Sequence, residues 1–293
     1  HPLSSFCCTC ASRLMHEHGG LCFVDFAASA PYVPIDMHPS DPFEKLDAIT
    51  FSPHKFLGGP GSSGVLIFDS HLYHLRSPDQ PGGGTVLWTN PWGRHRFKPE
   101  IEEREDGGTP GFLQAIRASL VIELKKEMGV DQMARREEEL VRKIFDGLQR
   151  IPGLHVLADN IGERLGIISF YFDSLHYNLV VRLLNDRFGI QMRGGCSCAG
   201  TYGHYLLHVD KYTSKRITDK INHGDLSTKP GWVRMSIHPT TTDREVDEIL
   251  SALAQIGVKG SEWTEDYNYD SQANEFFHKT SRGQLQQSVE QWF

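Results

Sequence analysis

The sequence predicts an α/β protein with a smaller α+β domain behind it, and three observations carry that expectation. A helix-period stretch over residues 8–18 stops at Gly19-Gly20 and runs into the apolar LCFVD, residues 21–25. That is the helix-then-buried-strand order of a parallel sheet covered by helices. Two further apolar runs, ending at Phe51 and at Phe68, flank a polar, glycine-rich corner. Beyond residue 152, strand-like and helix-like segments alternate again.

The elements follow in order. Residues 78–111 (PDQPGGGTVLWTNPWG, EDGGTPG) are rich in Gly and Pro and read as long loops, ordered by their tryptophans. From Phe112 the period becomes helical: FLQAIRASLVIELKKEMG carries one broad apolar face and stops at Gly129. A second helix, DQMARREEELVRKIFDGLQRI, starts at the cap Asp131 and ends before Pro152-Gly153. LHVLA and LGIISFYF read as strands, HYNLVVRLLNDRFG as a helix and IQMR as a strand. A polar loop, the strand WVRMSI and the helix TDREVDEILSALAQIG complete the series. The division expected is a large domain over residues 1–128, a small one over 129–259 and a polar tail over 260–293.

Composition narrows the class. At 39% hydrophobic and 23% charged, with no apolar run approaching a membrane span, the chain reads as a soluble globular protein that needs no membrane. A net charge of −7 without a basic stripe argues against nucleic acid as a general partner. The six cysteines include an adjacent pair and a Cys-x-Cys, a poor disulfide framework, so reduced thiols and a cytoplasmic location are expected. No second cysteine pair lies at ligand spacing, and no metal is expected. The chain begins with His and is in a strand almost at once, which predicts a longer protein upstream.

Chemistry concentrates at ITFSPHKFLGG, residues 49–59. A lone lysine at a strand corner is ordinarily a solvated turn residue. Here Ser52 and His54 set side-chain donors beside Lys55, and the glycines allow a ligand to approach the backbone. An amine next to an anion pocket suits a phosphate-bearing aldehyde. Asp25, at the end of a strand, reads either as a turn aspartate or as the counter-ion of a protonated pyridine nitrogen.

Strand-Asp, then thirty residues, then Ser-x-His-Lys and a glycine-rich strand resembles the fold-type-I pyridoxal 5'-phosphate (PLP) enzymes of the class V aminotransferase branch. Within that branch the likeness is to the cysteine desulfurase and selenocysteine lyase group, from about Leu21 to Gly257. The resemblance implies a three-layer PLP-transferase large domain of the aspartate-aminotransferase type, present in part, with the small α+β domain after it. It implies that Lys55 carries PLP in a Schiff base, that Asp25 pairs with the ring nitrogen, and that Ser52 and His54 bind the phosphate. Thr109 in EDGGTPG would reach the phosphate of a neighbouring subunit, making a homodimer; Thr85 is a second candidate for such a place.

The same resemblance extends to QMRGGCSCAG, where Arg193 precedes Cys198, the implied sulfur nucleophile, by five residues. The alternatives for Cys198 are an inert loop thiol and, with Cys196, half of a metal site. Cys196 would be a relay thiol or an accident of the loop, and Tyr202, Leu206 and His208 are candidates for the pocket wall. Arg234 in GWVRMSIHP matches the family's clamp on the substrate carboxylate, with Arg193 assisting. The implied reaction removes sulfur from L-cysteine, or selenium from selenocysteine, leaving alanine and a persulfide for a sulfur-acceptor protein. The alternatives are an aminotransferase or epimerase of the branch, and an inactive truncated relative.

Departures from the family pattern are specific. Ala28 stands where a glutamine often reaches the cofactor's ring oxygen, with Ser29 the nearest substitute, and Cys196-Ser197 stands where paired histidines are usual. The family's ring-stacking residue and its phosphate-binding turn would lie upstream of residue 1.

Overall fold

The structure, a computed structural model, describes residues 2–197 and 199–280. In chain order it forms α1 (Pro2–Glu17), β1 (Phe23–Asp25), β2 (Ala48–Phe51), β3 (Val65–Phe68), the hairpin β4 (Val86–Thr89) and β5 (His95–Phe97), α2 (Ile101–Glu105), α3 (Phe112–Met128) and α4 (Val130–Leu148). There follow β6 (Leu154–Val156), β7 (Ile167–Phe172), α5 (Tyr177–Phe188), β8 (Arg193–Gly195), α6 (Gly200–Leu206), α7 (Lys211–Asn222), β9 (Trp232–Ser236), α8 (Asp243–Trp263), β10 (Tyr267–Asp270) and β11 (Glu275–His278). The chain divides into two compact units, residues 1–134 and 135–293.

In the first unit the sheet order is β1-β2-β3, with β1 and β2 parallel and β3 antiparallel to β2. Registers Asp25↔Thr50 and Thr50↔Leu66 place Phe23, Asp25, Thr50 and Leu66 on one face, because side chains alternate across a strand. This face differs from the buried strand expected of LCFVD. Phe23 is 64% exposed and Leu66 61%, because they lie on β1 and β3, the two edge strands. Ile49, in the central strand, is buried.

Asp47, just before β2, is 1% exposed and gathers α1 to the sheet. It accepts hydrogen bonds from Cys22 N (2.8 Å) and His16 Nε2 (2.8 Å) and pairs with Lys45 Nζ at 3.1 Å. Burial works against its charge, yet these three donors hold its pKa below the ordinary carboxylate value.

The second unit is a four-stranded antiparallel sheet, order β6-β7-β9-β8. Ile168, Phe170, Val233 and Met235 are almost fully buried with Leu140 and Ile144 of α4, Leu183 and Leu184 of α5, and Leu253 and Ile256 of α8. Each such side chain contributes about 1.5–3 kcal/mol of burial. A capping box starts α8: Thr242 Oγ1 accepts from Glu245 N while Glu245 accepts from Thr242 N.

Several elements depart from the sequence expectation. Residues 78–111 contain the hairpin β4–β5 and the short α2, and the polar loop after residue 195 contains α6 and α7. Helix α4 begins at Val130, so Asp131 lies in its first turn rather than at its cap. Helix α8 continues past Gly257 to Trp263. Gly260 is a site of close approach, where a Cβ would come within 2.5 Å of Leu175 Cδ1, and not a helix stop. The hairpin β10–β11 follows, with Phe276 packed against the core.

Candidate active site

Two parallel strands, β1 and β2, end side by side, and the polar residues picked out by sequence follow from those ends. Asp25 closes β1. Its Oδ1 accepts from Ala27 N at 2.7 Å, a turn that fixes the carboxylate at the strand end, while Oδ2 accepts no hydrogen bond among the described residues. Ala28 is exposed in the same turn.

Ser52 follows β2 and precedes a single 3₁₀ turn, Pro53–Lys55; its hydroxyl caps nothing there. Lys55 N donates to Ser52 O at 3.0 Å, closing the corner. His54 and Lys55 are both exposed, and Lys55 Nζ has no ion pair or hydrogen bond among the described residues. Gly59 holds the bend: a Cβ there would lie 1.9 Å from Pro53 O, so only glycine lets the chain pass. An open cleft of about 370 Å³ lies against the sheet, lined by Phe23, Asp25, Thr50, Leu66, Phe68 and Tyr73. It is apolar apart from Asp25, Thr50 and the phenol of Tyr73.

The two glycine-rich loops meet through backbone. Gly108 N donates to Gly83 O at 2.8 Å, which sets Thr85 and Thr109 in one loop pair. The structure separates the two threonines. Thr85 is 1% exposed and its hydroxyl donates to Gly82 O at 2.7 Å, a structural role, whereas Thr109 is exposed. Arg104 braces the pair, donating from Nη1 to Lys98 O (2.7 Å) and Pro99 O (2.8 Å) and lying 5.1 Å from the centre of the Tyr73 ring.

In the second unit Arg193 opens β8 and Arg234 sits mid-β9, and the two are direct cross-strand partners. Ser169 of β7 is the partner of Arg234 on its other side, so all three share one face. Sequence reasoning missed Ser169; a hydroxyl in the middle of an apolar strand was the available signal. Trp232, buried, is the cross-strand partner of Gly195, where the loop carrying Cys196 and Ser197 leaves the sheet.

Cys198 lies outside the described residues. Cys196 is half-buried. Tyr202 and Leu206 fall in α6; Tyr202 is exposed and its ring stacks with that of Tyr205. His208 follows in the left-handed region, φ 51°. His204 and His208 share the spacing of paired imidazole ligands, but His204 Nδ1 bonds Gly200 O and Nε2 bonds Ser214 Oγ, each at 2.9 Å. Among the described residues no cluster of three or more His, Cys, Asp or Glu could hold a metal ion.

Known proteins resemble the chain in sequence and in fold. The family model for aminotransferase class-V matches residues 9–249. A probable cysteine desulfurase of Pyrococcus abyssi is 28% identical over 244 residues, covering 83% of this chain and 54% of the relative. One of Halalkalibacterium halodurans is 29% identical over 192 residues, covering 64% and 44%. The chain thus spans about half the length of the curated relatives it matches. Among solved structures, the apo cysteine desulfurase of Thermococcus onnurineus superposes with a TM-score of 0.64 at 26% identity, covering 85% of this chain and 55% of that one. A cysteine desulfurase of Escherichia coli superposes equally well at 23% identity, a likeness of fold. With the family model covering most of its length, the chain belongs to the class-V aminotransferase family.

Proposed function

We propose that the protein to which this chain belongs is a PLP-dependent carbon–sulfur lyase of the cysteine desulfurase type. One observation carries the reading: Asp25 and the Ser52–Lys55 corner leave the same end of two paired parallel strands, where α/β sheets bind ligands. The residues fit the cofactor. An apolar cleft with one carboxylate at its rim suits an aromatic ring bearing a basic nitrogen, and Asp25 Oδ2 is uncommitted to receive it. Ser52, His54 and the amine of Lys55 supply donors for a phosphate and an aldehyde. Bound there, PLP supplies an electron sink for the bonds at the substrate α-carbon.

The residues of the chain divide the remaining work. Asp25 would keep the ring nitrogen protonated, Ser52 and His54 would hold the phosphate, and Thr109 would reach the phosphate of the neighbouring subunit. Arg193 and Arg234 grip the carboxylate of a small amino acid. Lys55 would anchor the cofactor through its amine and would serve as the base that takes the α-proton. The thiolate of Cys198 attacks the substrate sulfur: the new S–S bond forms as the Cβ–S bond breaks, the electron pair returns to carbon, and protonation there leaves alanine. The persulfide then passes to a sulfur acceptor, a small thiol or a partner protein. Selenocysteine offers the same bond.

We place the protein in the cytoplasm as a homodimer. No described helix is long and apolar enough to cross a membrane, and Cys10, Cys22 and Cys196 carry free thiols. Phe112, Leu113, Ile116 and Leu120 expose an apolar stripe on α3 beside Thr109, which supports a subunit contact there.

The test is incubation with PLP, L-cysteine and an excess of a dithiol, which reduces the persulfide and releases its outer sulfur as sulfide. Alanine and sulfide should form in equal amounts, and Cys198→Ala should abolish sulfide while leaving the cofactor's visible absorbance. Turnover of an amino acid unaffected by Cys198→Ala would make the protein an aminotransferase or epimerase. Absence of any cofactor band would make the chain inactive alone.

A further inference from the structure

Helix α3 carries a lysine that joins the two arms of the candidate cofactor site. Lys125 is half-buried, and its Nζ donates to Ala30 O at 2.6 Å and to Val33 O at 2.7 Å. Those carbonyls end the turn that begins at Asp25: Ala30 N bonds Phe26 O, and Val33 N bonds Ser29 O. The same ammonium lies 5.8 Å from the centre of the Phe56 ring, and Phe56 is the residue after Lys55. One turn back on α3, Val121 is buried and faces Gly58, and a further turn back Arg117 donates to Pro60 O. A single helix therefore grips the Lys55 corner by packing and the Asp25 turn by two charge-assisted hydrogen bonds.

The arrangement has a cost. A half-buried ammonium loses hydration, and no carboxylate pairs with Lys125 among the described residues; burial lowers its pKa for that reason. Surface lysines of a helix avoid such a place. Two carbonyl acceptors and an aromatic face recover part of the loss, each bond to a charged donor being stronger than a neutral one.

We propose that Lys125 is a positioning residue that sets the separation of the Asp25 carboxylate from the Lys55 amine, and with it the seat of the cofactor ring. The inference rests on the PLP reading for its consequence but not for its geometry. Helix α3 would act as a splint, and loss of the ammonium would free the 26–33 turn without unfolding the sheet.

The experiment compares the 293-residue chain with Lys125→Met and Lys125→Arg by hydrogen exchange and by visible absorption with added PLP. Lys125→Met should speed exchange at the amides of Ser29, Ala30, Tyr32 and Val33 at least tenfold, with those of β2 and β7 unchanged. It should also weaken PLP binding about tenfold and shift the absorption maximum, and Lys125→Arg should restore both. Unchanged exchange at 29–33, or a spectrum and PLP affinity identical to the parent's, would overturn the proposal. If the parent chain itself gives no band with PLP, the functional reading fails, and the exchange result alone still decides whether Lys125 splints the turn.

Discussion

Arg193 and Arg234 stand directly opposite each other across the β8–β9 ladder, two guanidinium-bearing residues at facing positions on one sheet surface. Like charges at such positions repel by a few tenths to about 1 kcal/mol. An anion between them converts that repulsion into attraction, and a carboxylate matches the planar fork of a guanidinium in a way a point charge does not. We propose this pair, both members of which lie in the second unit, as a clamp for a carboxylate.

From it follows a difference between conservative and non-conservative replacement. Arg234→Lys should weaken binding of a small amino acid about tenfold, and Arg234→Ala about a hundredfold, the larger loss corresponding to ~3 kcal/mol. Calorimetric titration with an amino-acid ligand measures both, and circular dichroism should show the fold intact. Equal affinity of the lysine variant and the parent would remove the bidentate clamp from the account.

A backbone collision predicts the behaviour of Gly59→Ala. With 1.9 Å between the added Cβ and Pro53 O, the Lys55 corner must move, at a cost of about 1–3 kcal/mol. The variant should melt earlier in thermal scans and lose cofactor absorbance, whereas Gly83→Ala, with open space around its Cβ, should do neither. A Gly59→Ala protein as stable and as coloured as the parent would contradict the geometry of the corner.

The joint between α1 and the sheet should depend on pH in a definite direction. His16 Nε2 bonds the Asp47 carboxylate and Nδ1 bonds Phe43 O at 2.8 Å, so both nitrogens face acceptors and the imidazolium is favoured. The Asp47 bond first, and the Phe43 carbonyl second, raise its pKa above the ordinary 6.5. A folded-state pKa above the unfolded one gives stability that is complete below about pH 6.5 and disappears as pH rises through the folded value. Denaturant titrations from pH 5.5 to 9 should show that decline, and His16→Gln should flatten it. A parent curve that rises across this window would reverse the assignment.

How much of this was legible in the chain depends on the range of the contacts. LGIISFYF and WVRMSI signalled their strands because alternation and β-branching are local, and FLQAIRASLVIELKKEMG its helix because its period is. Helices α6 and α7 were hidden in a polar segment. Helix α6 is only seven residues long and α7 is strongly polar with no buried residue, so α7 is announced mainly by Asp210, whose carboxylate accepts from Tyr212 N and Thr213 N. The hairpin β4–β5 was lost among turn residues, being only four and three residues long. At the site, Asp25, Ser52 and Lys55 stood out by residue type and spacing. The roles of Thr85 and Lys125 did not, because each is decided by carbonyls that sequence cannot bring into range: Gly82 for one, Ala30 and Val33 for the other.

The most direct test of the central claim is chemical mapping of the cofactor. The protein is mixed with PLP, reduced with borohydride to fix the linkage, digested and analysed by mass spectrometry. The account predicts one pyridoxyl-bearing peptide, modified at Lys55, with Lys55→Ala giving none. Modification spread over surface lysines, or a defined adduct at another residue, would contradict it.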